Sequence, residues 1–429
     1  MTKILLATEN FPYGRGEKSF VLPELIRLAK DYDVTVISHA DERQIAEGQT
    51  ENRLPAGVRV VTHPRPRFTR RDKLRALAGF LTDADGREEI REILRGKKRK
   101  RTRFYQSLSF YAQTLADRRR LKKSGLLSGE EEIVYYSFWY DYYCYSMVRE
   151  RRKHPGVRIV SRTHGRDLYH ERVPGDRQPF RTQMERGMDG IVFTCACGRD
   201  YYDRNVRSEG FPAEKLHVCR LGTARAPRYM PAYTGGEWML VSCSNVIPLK
   251  RIERIIDGLS LIEGQRICWT HIGDGESMET VKAYAGRKLR KKENIRYVFT
   301  GFLEDAAAWY EDNQVDCFIT TSATEGGCPV SIQEAMSYGI PVIGTDVGGI
   351  TEMIAGNGIL LCDDPGAEEV AEAIRTVCRL SGEELDGMKG RSLALWREMF
   401  DKEKCYQEMK KILEGKIEYK VERKSFNLD

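Results

Sequence analysis

The chain has 429 residues, more than one ordinary core supports, so two domains are expected. With 41% hydrophobic and 31% charged residues it is neither disordered nor fibrous, and no run of about 18 uncharged apolar residues provides a spanning helix. The net charge of +7 is modest but unevenly placed.

A strand is predicted at residues 3–8, then a glycine turn in Phe11-Pro-Tyr-Gly-Arg-Gly-Glu17, a helix at 20–30 and a strand at 33–38. This βαβ unit predicts a parallel sheet, and Gly14 and Gly16 let the backbone turn tightly at the first strand's end. The opening apolar run, ended by Glu9, is too short for a signal peptide, so a cytoplasmic location is expected. From 95 to 123, lysines and arginines interleave with Phe104, Tyr105, Leu108, Phe110, Tyr111 and Leu115. Such a segment can lie on an anionic membrane, at the inner face for a cytoplasmic protein, or be a solvated helix face; nucleic acid is not the expected partner.

Further strands are predicted at 133–137, 158–162 and 190–194. Two prolines and Gly235-Gly236 then mark a linker, after which strands recur at 239–244, 266–272, 296–300, 316–320, 341–344 and 358–361, with helices between. The predicted organisation is a first domain over 1–222 with a basic helical insertion at about 70–127, a linker at 223–237, a second α/β domain over 238–394 and a helical segment over 395–429. The 11 cysteines are scattered, several in strand-like runs, as suits small buried hydrophobes in a reducing compartment. Cys195 and Cys197 with His217 and Cys219 match no common zinc spacing.

Ligands of open α/β sheets bind beyond the carboxyl ends of strands, where the candidate residues are predicted to gather. His164 follows the strand at 158–162, and Asn245, Lys250 and Arg251 lie between the first strand and helix of the second domain. Cations placed there can neutralise a diphosphate and stabilise its departure. Gly273, Asp274 and Gly275 form a tight turn after a strand. The stretch from Glu325 to Glu334 sets carboxylates either side of a glycine turn and a helix start, with Pro329 at the first helical position. The amides of Val330, Ser331 and Ile332 would then meet an anion. For each residue the plainer reading is structural: a capped helix, a solvated flank, a buried histidine. Asp31-Tyr-Asp33 and Asp83-Ala-Asp85 read as chance matches to metal-binding pairs, and neither metal nor cofactor is expected.

Together these residues resemble the retaining glycosyltransferases of family 4 (group 1), and most closely so over 240–374. The resemblance implies the GT-B architecture, two facing Rossmann-like doubly wound domains with an interdomain cleft. It implies a nucleotide-diphosphate sugar as donor and a glycan or lipid-linked saccharide as acceptor, with metal-independent transfer in surface polysaccharide biosynthesis. The first domain would take the acceptor, the second the nucleotide sugar, and the final helix would pack back on the first. Glu325 would contact the transferred sugar and Glu334 the ribose; Lys250 and the amides of 330–332 would hold the diphosphate, with His164 beside the sugar and the loop of Gly14 and Gly16 near the reacting centre. Two departures stand out: eight residues rather than seven separate Glu325 from Glu334, and Asn245 replaces an arginine common five residues before the lysine, a charge Arg251 would supply. A nucleotide-sugar 2-epimerase of the same architecture and a non-catalytic sugar-nucleotide-binding subunit are the alternatives.

Overall fold

The computed structural model describes residues 2–48, 54–128, 132–231, 233 and 235–417. The chain divides into two units, one of Met1–Phe193, Arg199–Cys219 and Tyr406–Asp429, the other of Thr194–Gly198 and Arg220–Cys405.

The first unit holds seven parallel strands: β1 (Lys3–Thr8), β2 (Asp33–Ser38), β3 (Arg59–Thr62), β4 (Ile133–Ser137), β5 (Arg158–Thr163), β6 (Gly190–Phe193) and β7 (Leu216–Val218). Their order is β3-β2-β1-β4-β5-β6-β7, so the winding reverses between β1 and β4. β1 and β4 are buried along their whole length, as parallel strands covered on both faces must be. The sequence misses β3 and β7, a partly exposed four-residue run and a three-residue one, both too short to show a period.

The first helix runs Arg15–Asp31, starting five residues before its apolar pattern, so Gly16 lies in the helix and Gly14 is its N-cap. The cause is Glu17. Its carboxylate accepts the amides of Glu9 (3.1 Å), Asn10 (2.6 Å) and Phe11 (2.6 Å) and the indole N–H of Trp139, tying the loop after β1 to the helix start.

Between β3 and β4 lie the helices Arg70–Thr82, Ala84–Arg95 and Lys100–Lys123. Asp83 is a cap, accepting the amide of Asp85 at 2.9 Å. In the basic helix Phe110, Tyr111, Ala112 and Leu121 are buried, and Phe104, Leu108 and Leu115 pack against the same core. The interleaved aromatics are thus interior, and Tyr105 is the one left at 57% exposure. Several of the cations are also engaged: Arg118 and Lys122 pair with Glu150, and Arg99 with Asp176 at 2.9 Å.

The helix also delivers Asp117 to a buried cluster at the ends of β1, β2 and β3. Asp117 Oδ1 lies 3.1 Å from His39 Nε2 and 2.9 Å from His63 Nδ1, and His39 Nδ1 lies 2.8 Å from the carbonyl of Thr8. Burial alone would push the Asp117 carboxyl up, but the His39 charge and the two histidine hydrogen bonds outweigh it and hold the carboxyl well below the usual range.

The second unit holds six parallel strands: β8 (Trp238–Cys243), β9 (Ile267–Ile272), β10 (Ile295–Gly301), β11 (Cys317–Ile319), β12 (Val342–Thr345) and β13 (Gly358–Leu361). Their order is β10-β9-β8-β11-β12-β13, reversing between β8 and β11. The helices Gly382–Met399 and Lys402–Glu414 end the described chain; the rest of the segment predicted to be helical, 418–429, lies outside the described residues. From Tyr406 the last helix belongs to the first unit, where the Tyr406 hydroxyl donates to Asp31 at 2.9 Å.

Candidate functional site

In the second unit the loops after β8, β9, β11 and β12 meet where the strand order reverses, the place an open parallel sheet offers a ligand. The glycine pair after β9 permits the approach. Gly273 has φ +134°, and a Cβ there would lie 2.0 Å from the carbonyl oxygen of Ser244; one on Gly275 would lie 2.4 Å from that of Val246. The two loops bond directly, Val246 N–H to Asp274 O and Ser244 N–H to Ile272 O, both at 3.0 Å. Asp274 and Asn245 are exposed, and Asp274 turns its carboxylate onto the amide of Gly275 at 2.7 Å.

Lys250 ends the short turn Pro248–Lys250, and its Nζ donates to Glu325 Oε1. The extra residue between the two glutamates leaves the aim of Glu325 open in the sequence; in the structure it points to Lys250. Glu325 lies not at the strand's end but six residues beyond β11. Its turn rests on the glycines after β12: a Cβ on Gly348 (φ +55°) would lie 2.3 Å from Glu325 O, and one on Gly349 2.3 Å from the carbonyl carbon of Gly327. Arg251 does not join this pair. With φ +46° it caps the next helix, and its guanidinium donates to the carbonyls of Thr321 (2.9 Å) and Ser322 (2.9 Å) and to Asp364 (2.7 Å). It clamps the loop after β11.

The helix Val330–Ser337 starts one residue later than predicted, with Pro329 as its N-cap. Pro329 O accepts the Gln333 amide at 3.2 Å, while the amides of Val330, Ser331 and Ile332 have no acceptor among the described residues. These are the orphan donors that a helix start turns toward an anion. Glu334 is half-buried and its carboxylate takes no hydrogen bond among the described residues. Burial pushes this carboxyl up to about 7, and the charge of Asp305 adds to the shift. The raised value means that the folded chain keeps a proton which the unfolded chain releases, so this group's contribution to stability falls as pH rises from the ordinary carboxylate range to about 7. Glu334→Gln, which removes the buried charge, is expected to melt higher than wild type at pH 8 but not at pH 5. Thermal unfolding at the two pH values checks this, and an equal offset at both would contradict it.

In the first unit, Gly14 packs on Asn10, whose Cγ would lie 2.6 Å from an added Cβ, while Gly16 has open space around it. His164 follows β5 with its ring beside Phe138 and Trp139, centroids 5.1 and 4.3 Å away. Neither ring nitrogen has a hydrogen-bond partner among the described residues. Burial, helped by Arg162 and Arg166, lowers its pKa to about 3, so the imidazole is neutral at physiological pH. Sequence reasoning missed Asp167, which accepts the amides of His164 (2.7 Å) and Tyr140 (2.8 Å) and so joins the loops after β4 and β5. It also missed Glu17, although a glutamate three residues after an N-cap glycine is a recognisable helix-start signal.

Cys195 and Cys197 approach to 3.2 Å between sulfurs, with Glu352 completing a cluster that excludes His217 and Cys219. Glu352 already accepts the amide of Ala196 at 2.8 Å and pairs with Arg220.

The whole chain is similar to the apo form of the lipopolysaccharide outer core galactosyltransferase WaaB, with a TM-score of 0.67 and 16% identity over 97% of this chain and 100% of that one. It is likewise similar to Anabaena HepE in complex with UDP-glucose, with a TM-score of 0.65 and 15% identity over 97% and 100%. The fold is GT-B. Residues 238–379, within the second unit, match the family model of glycosyl transferases group 1. Lys250, Gly273, Gly275, Glu325 and Glu334 all fall inside the match; Gly14, Gly16 and His164 fall outside it. The O-antigen biosynthesis glycosyltransferase WbnH of Escherichia coli is 36% identical over 90 residues, which are 21% of this chain and 24% of WbnH, so the chain spans about a quarter of that relative's length.

Proposed function

We propose that the chain is a retaining, family 4 glycosyltransferase that moves a sugar from a nucleotide-diphosphate sugar to a glycan or lipid-linked saccharide in surface polysaccharide biosynthesis. The observation that carries this reading is the Lys250–Glu325 pair in the second unit, whose site also holds a helix start with three unbonded amides. A cation and amides suit a diphosphate, and a carboxylate beside them suits sugar hydroxyls. Lys250 and the amides of Val330, Ser331 and Ile332 are assigned to the diphosphate, Glu325 to the transferred sugar, and Glu334 to the ribose. Asn245, Gly273, Asp274 and Gly275 are assigned to the rim of the nucleotide site. In the first unit, the loop of Gly14 and Gly16 and the neutral imidazole of His164, which can both donate and accept, are assigned to sugar recognition.

With Lys250 relieving charge on the leaving diphosphate, the reaction as proposed needs no metal. Retention would follow from attack on the face the diphosphate leaves, with its oxygen taking the acceptor's proton. The names of WbnH and WaaB and the UDP-glucose bound to HepE support the class of donor and pathway. A cytoplasmic location at the inner membrane face is part of the proposal. With most aromatics of the basic helix interior, membrane contact would rest on the exposed cations Lys97, Lys98, Lys100 and Arg101.

Incubating the chain with labelled nucleotide sugars, with and without a chelator, tests the reading. Slow release of the labelled sugar to water or acceptor, undiminished by the chelator, is expected. A changed sugar on an uncleaved nucleotide would replace this reading by epimerisation, and binding without turnover by a non-catalytic subunit.

A further inference from the structure

A cavity of about 700 Å³ lies in the first unit, between the helix Lys100–Lys123 and the segment 166–181, beyond the ends of β4 and β5. Its wall carries a buried guanidinium that makes no direct ion pair among the described residues. Arg181 is 4% exposed, and its guanidinium donates only to neutral acceptors, Asp167 O at 2.6 Å, Gln178 Oε1 at 3.2 Å and Met184 Sδ at 3.3 Å. No carboxylate pairs with it among the described residues, and its Nε has no partner. A desolvated cation in that position attracts an anion strongly.

Two carboxylates share the wall. Asp167 accepts the amides of Tyr140 and His164 and lies within electrostatic reach of Arg181 and Arg166, and Asp141 accepts the amide of Tyr142 at 2.7 Å and lies 3.7 Å from Arg166. Arg166 forks onto Glu9 at 2.9 and 3.0 Å. Arg101 is exposed, has no ion pair among the described residues, and stands 5.7 Å over the ring of Tyr105. With three arginines against two aspartates, the wall carries a net positive charge. The rest of the lining suits hydroxyls. Tyr140 Oη and Gln106 Oε1 are buried with no hydrogen-bond partner among the described residues, and Tyr105 offers an exposed aromatic face of the kind that stacks on a sugar ring.

We propose that this cavity binds a saccharide bearing a negative charge, phosphate or carboxylate, with the anion drawn to Arg181 and Arg101, the ring on Tyr105, and hydroxyls bonded by Gln106 and Tyr140. Its role as an acceptor subsite rests on the glycosyl transfer proposed above; the binding itself does not.

Saturation-transfer NMR on the full chain with glucuronic acid, glucose phosphate and uncharged glucose at millimolar concentration, without donor, tests it. Saturation of one or both charged sugars well above glucose is expected; the sugar that binds tells carboxylate from phosphate. Arg101→Ala and Tyr105→Ala, both at exposed positions, should each weaken that binding roughly tenfold, the loss of one charge-assisted or stacking contact. The rise in melting temperature with UDP should be unchanged in both. No saturation of either charged sugar, parity with glucose, or unaltered binding in the two variants overturns the inference. Loss of the UDP effect in the wild-type chain would instead count against the glycosyl-transfer reading, so the two failures are distinct.

Discussion

Lys250→Ala is expected to lower the rate of sugar transfer roughly a hundredfold or more, the scale at which removing one preorganised group that stabilises developing charge acts. The geometry argues for a loss of this size. The Lys250 side chain is 19% exposed and its partner Glu325 13%, so the pair works where water screens little. Truncating the lysine removes the cation and also leaves the Glu325 carboxylate unopposed beside the place proposed for the diphosphate. The variant should therefore bind nucleotide more weakly as well as turn over more slowly, and adding Glu325→Gln should restore part of the binding but not the rate. Initial rates with labelled donor, set beside nucleotide binding by calorimetry, separate the two effects. A wild-type rate in Lys250→Ala would remove Lys250 from the mechanism.

Asp117→Asn is expected to destabilise the first unit by about 2–3 kcal/mol, the cost of weakening hydrogen bonds to a buried charged group. Asp117 Oδ1 faces ring nitrogens of both His39 and His63, and His39 Nδ1 faces Thr8 O on its other side. Asparagine keeps the shape and one acceptor oxygen but removes the buried negative charge that these rings hydrogen-bond. Urea unfolding should show a lower midpoint with an unchanged slope. The pH dependence has a definite sign. Because the folded carboxyl is held low, its stabilisation is present above the unfolded value of about 4 and is lost as pH falls through the folded value. The gap between variant and wild type should be full at neutral pH and narrow only in strong acid. A gap independent of pH would mean that Asp117 acts by packing alone.

Much of the fold is legible in single runs of residues. The segments 3–8, 133–137 and 239–244 are mostly apolar stretches of strand length, and the glycine-proline breaks between them set the alternation of strand and helix. Glu334 is legible for the same reason: its distance from Pro329 along one helix fixes its place. Gly273 and Gly275 mark a tight turn, though not that the opposing surface is the backbone of Ser244 and Val246.

What was not legible depends on partners far away in sequence. Arg251 reads as a second phosphate cation, yet carbonyls 70 and 71 residues on claim its guanidinium. The aromatics at 104–111 also allow a membrane face, and only Phe80, Tyr145 and Phe180, brought against them from elsewhere in the chain, make most of them core. The aim of Glu325 is set by Lys250, 75 residues earlier, and the partner of His39 is Asp117, 78 residues later.

By itself, then, the sequence determined the element types, the parallel α/β class and the identity of the residues at the strand ends, because period, glycine and proline act within a few residues of themselves. Only the tertiary structure decided which of those residues are paired and which stay free. Among the described residues, it left the amides at the start of the helix at Val330 without acceptors and enclosed Arg181 without a direct ion pair, and it raised the Glu334 carboxyl by burial. Hydrogen-bond partnership and desolvation depend on what the fold brings within a few ångströms, and spacing along a chain does not encode that distance.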